Sequence, residues 1–350
     1  MGHDRRGVPF ALGAAVLFGL STPLAKGLLH ALPPQMLAGL LYVGAGVGLA
    51  LSFLAQRARH GPAEAPLRRS DAPWLAGSIL AGGVAGPFLL MLGLSRMAAS
   101  GASLLLNLEG VFTALLAWSV FRENVDRRIA LGMAAIVLGG ALLSWQGQLA
   151  WGGVTGPLAV AGACLAWGLD NNLTQKLSAS DPVQITAIKG CAAGAVNVGI
   201  ALALGSAWPG GRQLAGALGL GLLSYGVSLA LYVRALRELG TARTGAYFSI
   251  APFVGAVVAV LVWHDPVTPL LVAAAALMGV GIWFHLIERH EHEHSHEALE
   301  HEHWHAHDEH HQHQHQPGDP IGEPHSHPHR HEPMVHSHSH YPDLHHRHPH

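Results

Sequence analysis

Apolar stretches of about twenty residues, separated by short polar or basic segments, recur along the chain from residue 9 to residue 287 and then stop. They fall at roughly 9–30, 33–56, 73–95, 97–121, 128–146, 155–177, 183–205, 213–235, 240–263 and 266–287. A helix rising 1.5 Å per residue needs about 20 mostly apolar residues to cross a bilayer, and each stretch meets that length. The pattern therefore predicts an all-α polytopic membrane protein with ten transmembrane helices. Residues 8–146 form a first five-helix unit and 154–287 a second, and residues 290–350 form a polar tail.

The basic residues test that count. With a cytoplasmic N-terminus, the inner ends hold Arg5, Arg6, Arg57, Arg59, Arg68, Arg69, Arg122, Arg127, Arg128, Lys176, Arg234, Arg237, Arg243 and Arg289. The outer ends hold only Lys26, Arg96 and Arg212. One missed span would scatter this asymmetry, so ten helices with both termini inside is the self-consistent reading.

A repeat runs beneath the spans. LSRMAASGASLLLNLEGVFTALLAWSVFREN, from Leu94, aligns without gaps on LRELGTARTGAYFSIAPFVGAVVAVLVWHDP, from Leu236, an offset of 142 residues. Arg122 and Glu123 close the first copy, and His264 and Asp265 close the second. Five helices per unit is odd, so the two units insert with opposite orientation, as inverted repeats do in many secondary transporters.

Composition agrees with this picture. Half the residues are hydrophobic, only 12% are Asp, Glu, Lys or Arg, and there are 43 glycines, which suits close helix packing in lipid. Gly44 with Gly48, Gly82 with Gly86, and Gly190 with Gly194 stand at a spacing of four, where small residues let backbones approach. Cys164 and Cys191 both lie in apolar stretches and build neither a disulfide framework nor a CxxC metal site. The basic N-terminus runs into its apolar stretch without a small-residue cleavage site, so it reads as a retained first helix. No GxxxxGK[ST] loop occurs, so transport would be driven by a gradient.

Candidate chemistry lies where polar groups interrupt the spans. They are Ser21, Thr22, Pro23 and Lys26 in the first span, Asn107 and Glu109 in the fourth, and Asp170, Asn171 and Asn172 in the sixth. Lys189 and Asn197 follow in the seventh, and Ser224 and Tyr225 in the eighth. A charge at mid-membrane costs roughly 2.5 to 3.5 kcal/mol on insertion scales, so such residues face the bundle interior and have a partner or a use. Asp170 and Lys189 stand at similar depth on neighbouring helices, where they are expected to pair. Glu109 has no such obvious partner at its depth. It is either a coupling or substrate carboxylate, or one neutralised by Lys189 or by a proton. Lys26 either snorkels to the outer surface or meets an anion there. Glu109, Asn107, Asp170, Asn171, Asn172 and Lys189 make up the candidate substrate and coupling set.

FGLSTPLAK, Phe18 to Lys26, and SLLLNLEGVFTALLAWSVFREN, Ser103 to Asn124, resemble landmark segments of EamA-type transporters of the drug/metabolite transporter superfamily. The resemblance covers about residues 8–287. It implies ten helices, an inverted five-helix repeat and a central cavity between the halves. It also implies export of small metabolites or amino acids, coupled to protons or by exchange, across a bacterial cytoplasmic membrane.

From His290 onward, 23 of 61 residues are histidine, many alternating as HxHxH, with 11 acidic residues and only Arg330 and Arg347 basic. So polar a segment buries too little to fold, and the tail is expected to be disordered, with an intermittent helical extension over HEHEHSHEALEHEHWH. Imidazole binds zinc, nickel, copper and cobalt, so divalent transition metals are the expected tail ligands. The candidate metal residues are His290, His292, His294, His296, His301, His303, His305, His307, His310, His311, His313 and His315. They continue through His325, His327, His329, His331, His336, His338, His340, His345, His346, His348 and His350. HExxH matches at His290–His294 and His301–His305 follow from composition and lack a closed third-ligand site, so the chain reads as no enzyme.

Three readings remain. In the first, a secondary active transporter exports a small organic metabolite or amino acid, and a metal-binding tail regulates or buffers. In the second, the tail feeds nickel, cobalt or zinc to the bundle, which exports it through oxygen ligands at Glu109, Asp170, Asn171 and Asn107. In the third, a membrane metal sensor or store transports nothing. None requires a cofactor or nucleic acid; the partners are the bilayer, a small-molecule substrate and transition metal ions, and a homodimer remains open.

Overall fold

The computed structural model describes residues 7–60, 67–121, 127–144, 151–177, 180–239, 241–286, 290–296, 299–305, 325–331 and 334–340. Expectations at Arg5, Arg6, Arg122, Glu123 and Arg289 lie outside them, as do those at His307, His310, His311, His313, His315, His345, His346, His348 and His350. The bundle is helical throughout. In order come α1 (Gly7–Gly19), α2 (Ser21–Leu28), α3 (Pro34–His60), α4 (Ala72–Ser78), α5 (Gly86–Leu94), α6 (Ala99–Leu105) and α7 (Leu108–Phe121). Then come α8 (Arg127–Ser144), α9 (Trp151–Gln175), α10 (Pro182–Ala203), α11 (Gly211–Gly221) and α12 (Ser228–Leu239). Last are α13 (Thr241–Phe248), α14 (Ala251–Trp263) and α15 (Pro269–Leu286). Among the described residues seven helices are long and apolar enough to cross a membrane, and Ala251–Trp263 and Pro269–Phe284 are shorter apolar helices. Leu51, Leu80, Val120, Leu204 and Leu261 point outward, as lipid-facing side chains do.

Element bounds repeat at the 142-residue offset seen in the sequence. Displaced by that amount, α8 lands on 269–286, the bounds of α15, and α6 lands on 241–247, inside α13. A π-helical segment joins α4 to α5 at Ile79–Ala85, and another joins α11 to α12 at Leu222–Val227. The equivalent helices α3 and α10 pack on each other, as do α8 and α15.

Three expected spans are broken rather than continuous. The first breaks at Leu20, the fourth at Leu106–Asn107 and the ninth at Ser249–Ile250. Proline explains two of these breaks. Pro23 and Pro252 have no N–H to give the carbonyls of Gly19 and Phe248, so the helix is interrupted just before each. The fourth span has no proline there. Its chain tightens to three-residue bonds, Leu106 N–H to Ser103 O at 3.2 Å and Asn107 N–H to Leu104 O at 3.1 Å. Asn107 adds its side-chain Nδ2, which donates to Leu104 O at 2.8 Å, and the Cys164 thiol reaches Leu105 O at 3.5 Å. Side chains thus satisfy the carbonyls that a break leaves bare in lipid.

The π segment at Ile79–Ala85 has the same logic. Pro87 has no N–H for Gly83 O, which accepts from Asn197 Nδ2 at 3.0 Å instead. The carbonyl of Gly82 takes both Tyr42 OH and Trp167 Nε1 at 2.9 Å. The glycine pairs sit at helix contacts. Gly44 lies against the Leu218 backbone, Gly48 against Leu222, and Gly190 and Gly194 against α3 at Gly46 and Val43.

The described backbone of the tail is extended, with β1 (His290–His296) antiparallel to β4 (Met334–His340) and β2 (Leu299–His305) antiparallel to β3 (His325–His331).

A Cβ at Gly46 would sit 2.6 Å from Gly190 C and also meet the backbone nitrogen of Cys191, so any side chain there forces α3 and α10 apart. Gly46→Val is predicted to destabilise the protein by about 2 kcal/mol or more in detergent unfolding. Gly199→Ala, on the same α10, meets nothing within 4 Å and should leave unfolding unchanged.

Candidate functional site

Of the expected site residues, the structure brings Glu109, Asp170, Asn171 and Lys189 together and turns Asn107 and Asn172 away. Glu109 opens α7 just after the break, where the first turn of the helix carries the carboxylate. Asn171 Nδ2 donates to Glu109 Oε1 at 2.9 Å and reaches Thr113 Oγ1 at 3.2 Å. Asn171 is the only hydrogen-bond donor that meets the Glu109 side chain among the described residues.

Asp170 is fully occupied. Its Oδ1 accepts from Ser78 Oγ at 2.5 Å and from Thr174 Oγ1 at 3.0 Å, and its Oδ2 forms an ion pair with Lys189 Nζ. Gly82 makes room for it, since a Cβ there would strike the carboxylate. Both partners are largely buried, with side chains 8% and 15% exposed for Asp170 and Lys189. The expected pair is therefore made, and the lysine charge is spent on Asp170 rather than on Glu109.

Asn107 is buried and donates to Leu104 O and, at 3.7 Å, to Met278 Sδ of α15. Asn172 is also buried and donates to Thr113 O at 3.1 Å and Gly168 O at 2.8 Å. The amide nitrogens of both donate to backbone carbonyls at helix contacts. Their polarity meets the demand of the backbone, which spacing alone does not distinguish from a ligand role.

Glu109, Asn171 and Lys189 border a cavity of about 530 Å³, together with Phe18, Tyr42, Thr174, Thr186, Ser224, Tyr225, Ser228, Tyr232 and Phe248. That is within the range of small-molecule sites. The lining comes from the level of the helix breaks and from the helix ends that lead toward Lys176 and Arg234. Both π segments supply or support it, Leu222–Val227 through Ser224 and Tyr225, and Ile79–Ala85 through the Tyr42 hydroxyl on Gly82. The rings also brace one another, with Phe18 5.7 Å from Tyr225 and 5.3 Å from Phe248, and Tyr232 4.9 Å from Phe248. Sequence reasoning singled out Ser224 and Tyr225 but missed Phe18, Tyr42, Thr174, Thr186, Ser228, Tyr232 and Phe248. An aromatic in a membrane span looks like packing, and only the fold shows that these five rings share one cavity.

Further contacts join the helices away from the cavity. Lys26 Nζ donates to Leu94 O at 2.5 Å and Met97 O at 2.8 Å, holding the C-terminal end of α5. Trp263 Nε1 donates to Pro23 O at 2.8 Å, and Ser100 N–H donates to Asp265 Oδ2 at 2.9 Å at the start of α6. The tail histidines have no described side chains, so their expected metal role lies outside the described residues. Among the described residues no three His, Cys, Asp or Glu side chains come together in a way that would hold a metal.

Comparison with known proteins gives three findings. A model described as the EamA-like transporter family matches residues 5–145 and again 154–287. A protein of Methanothermobacter thermautotrophicus called an uncharacterized transporter is 31% identical over 284 residues, covering 77% of this chain and 82% of the relative. A crystal structure of another protein superposes with a TM-score of 0.59 at 19% identity, covering 81% of this chain and 96% of that one, which is a likeness of fold.

Removing one member of a buried pair strands the other, so Asp170→Asn is predicted to destabilise the bundle by about 3 to 5 kcal/mol. Asp170→Asn combined with Lys189→Met should recover most of that loss in thermal unfolding in detergent.

Proposed function

The chain belongs to the EamA-like transporter family, and from that premise we propose that it is a gradient-driven secondary transporter of the cytoplasmic membrane, with cargo and proton alternating at Glu109. Its cargo is a small organic metabolite or amino acid. The observation that carries this reading is the Glu109 carboxylate, which borders a cavity of about 530 Å³ and meets a single donor, while the neighbouring Asp170 and Lys189 neutralise each other. A carboxylate so placed exchanges a proton for another partner without rearranging an ion pair.

On this reading the chain has ten spans in two inverted five-helix repeats, and the seven apolar helices, α9, and the shorter α14 and α15 make up the ten. The basic residues put both termini and the ends carrying Lys176 and Arg234 in the cytoplasm. The cavity then faces inward and loads from the cytoplasm, as an exporter requires. The contacts of Lys26, Trp263 and Asp265 form the closed outer gate.

The tail serves as a cytoplasmic binder of divalent transition metals that regulates or buffers. The register that sets His292 opposite His338 and His294 opposite His336 supports it, because each pair places two histidine positions at one level. Metal export through the bundle gains no such support, since among the described residues no three His, Cys, Asp or Glu side chains come together to hold a metal.

Proteoliposomes holding the full chain and an internal pH dye test this. Adding protein amino acids or simple amines should move protons with the intact protein, and Glu109→Gln should reduce that flux at least about ten-fold. Proton movement that ignores Glu109 would remove the carboxylate from the mechanism. In parallel, cells loaded with nickel, cobalt or zinc should hold the same metal with the intact protein as with Glu109→Gln.

A further inference from the structure

We propose that the tail holds metal between its strands, with one site in each of its two ladders, for a divalent ion of the zinc, nickel, cobalt and copper class. Each site is built from the histidines of two successive His–His rungs. This rests on the reading of the tail as a metal binder and says which histidines bind, how many ions they take and what binding does to the chain.

The observation that carries it is the register. In the β1–β4 ladder His290 stands opposite His340, His292 opposite His338 and His294 opposite His336. In the β2–β3 ladder His301 stands opposite His329, His303 opposite His327 and His305 opposite His325. The two ladders differ in parity, since histidine takes even positions in β1 and β4 and odd positions in β2 and β3. Both sides of the tail change parity between the ladders, so one register serves both, with His290–His340 and His305–His325 alike centred on His315. A slip of one residue would set His292 against Ser337 or Ser339 and His303 against Ser326 or Pro328, and would break every His–His rung.

Alternate residues of a strand share a face, so the three His–His rungs of each ladder lie on one face. Rungs two residues apart are separated by about 6.6 to 6.8 Å along the strand, and opposite Cα atoms by about 4.5 to 5.5 Å across it. Histidines at the corners of such a rectangle can share one ion. The first and third rungs, about 13 Å apart, cannot. The alternate rungs, on the other face, pair Glu291 with Ser339 and Glu293 with Ser337 in one ladder, and Glu300 with Arg330 and Glu302 with Pro328 in the other. Along these rungs the histidine face therefore offers imidazole and no carboxylate. That donor set suits zinc, nickel, cobalt and copper, and not magnesium, calcium or manganese.

A two-stranded ladder is marginal by itself in water. Ligands drawn from both strands make metal binding and strand pairing one equilibrium, because the site exists only while the strands pair. Metal therefore fixes the tail in this register.

The test is a zinc titration of the full chain, purified in detergent without a polyhistidine tag, against a competing chromophoric chelator, with amide exchange followed in parallel. The intact chain should take about one tight ion per ladder, protect the amides of all four strands on loading, and keep its zinc in excess magnesium. His292→Gln with His338→Gln removes the middle rung of β1–β4 and should lose one tight ion and the protection of those strands alone. His303→Gln with His327→Gln should do the same to β2–β3. His310→Gln with His311→Gln removes as many histidines outside the strands and should keep both ions. Replacing His336, His338 and His340 with glutamine should cost the β1–β4 ion outright. Survival of that ion would show that a run on one strand binds by itself, and would overturn the proposal. Equal loss from every histidine pair would also overturn it, while leaving the tail a metal binder. No tight zinc on the intact chain would remove the tail's metal role as well.

Discussion

The pairing of Lys189 with Asp170 sets the terms for the rest of the site. Three charged side chains stand near one level of the bundle, and lipid tolerates none of them unpartnered at low cost. Ser78 and Thr174 complete the hydrogen bonds of Asp170, and Gly82 leaves the space it fills. The pair is then self-contained. Glu109 is left with Asn171 and the cavity it borders.

A second constraint shapes the walls. No water reaches a lipid-facing helix, so each backbone carbonyl freed by a break or a π segment needs a donor from the protein. Asn107 and Cys164 serve the break before Glu109, and Tyr42, Trp167 and Asn197 serve the π segment of Ile79–Ala85. These side chains explain much of the polarity in the spans. They also fix the cavity, because Tyr42 both satisfies Gly82 and lines the space beside Glu109. Beside the first break, Pro23 O accepts from Trp263 Nε1, and Lys26 holds Leu94 O and Met97 O.

Much of this was legible in the sequence. Lengths of apolar runs marked out the helical, membrane-spanning character of the chain, and the offset of 142 residues recurs in the bounds of α8 and α15. Asp170 with Lys189 followed from matched depth alone. The breaks were less visible. Pro23 and Pro252 mark two of them, but the third rests on Asn107, a residue that reads equally as a ligand. Asn172 misled for the same reason, since an amide serving Thr113 O and an amide serving a substrate have one letter in common. The rings of Phe18, Tyr42, Tyr232 and Phe248 lie far apart in sequence, and their shared cavity is a property of helix packing. In the tail, low hydrophobicity pointed to disorder with an intermittent helix, and the described backbone is extended.

The most direct measurement is the number of protons released when an amino acid or simple amine that moves protons in proteoliposomes binds to the full-length protein in weakly buffered detergent solution, followed from acid to mildly alkaline pH, below the titration of the amine itself. If cargo and proton share Glu109, release approaches about one proton per bound cargo at acid pH, vanishes at mildly alkaline pH, and is absent from Glu109→Gln throughout. Binding that releases no proton at any pH, or release that survives in Glu109→Gln, would contradict a carboxylate that alternates between the two.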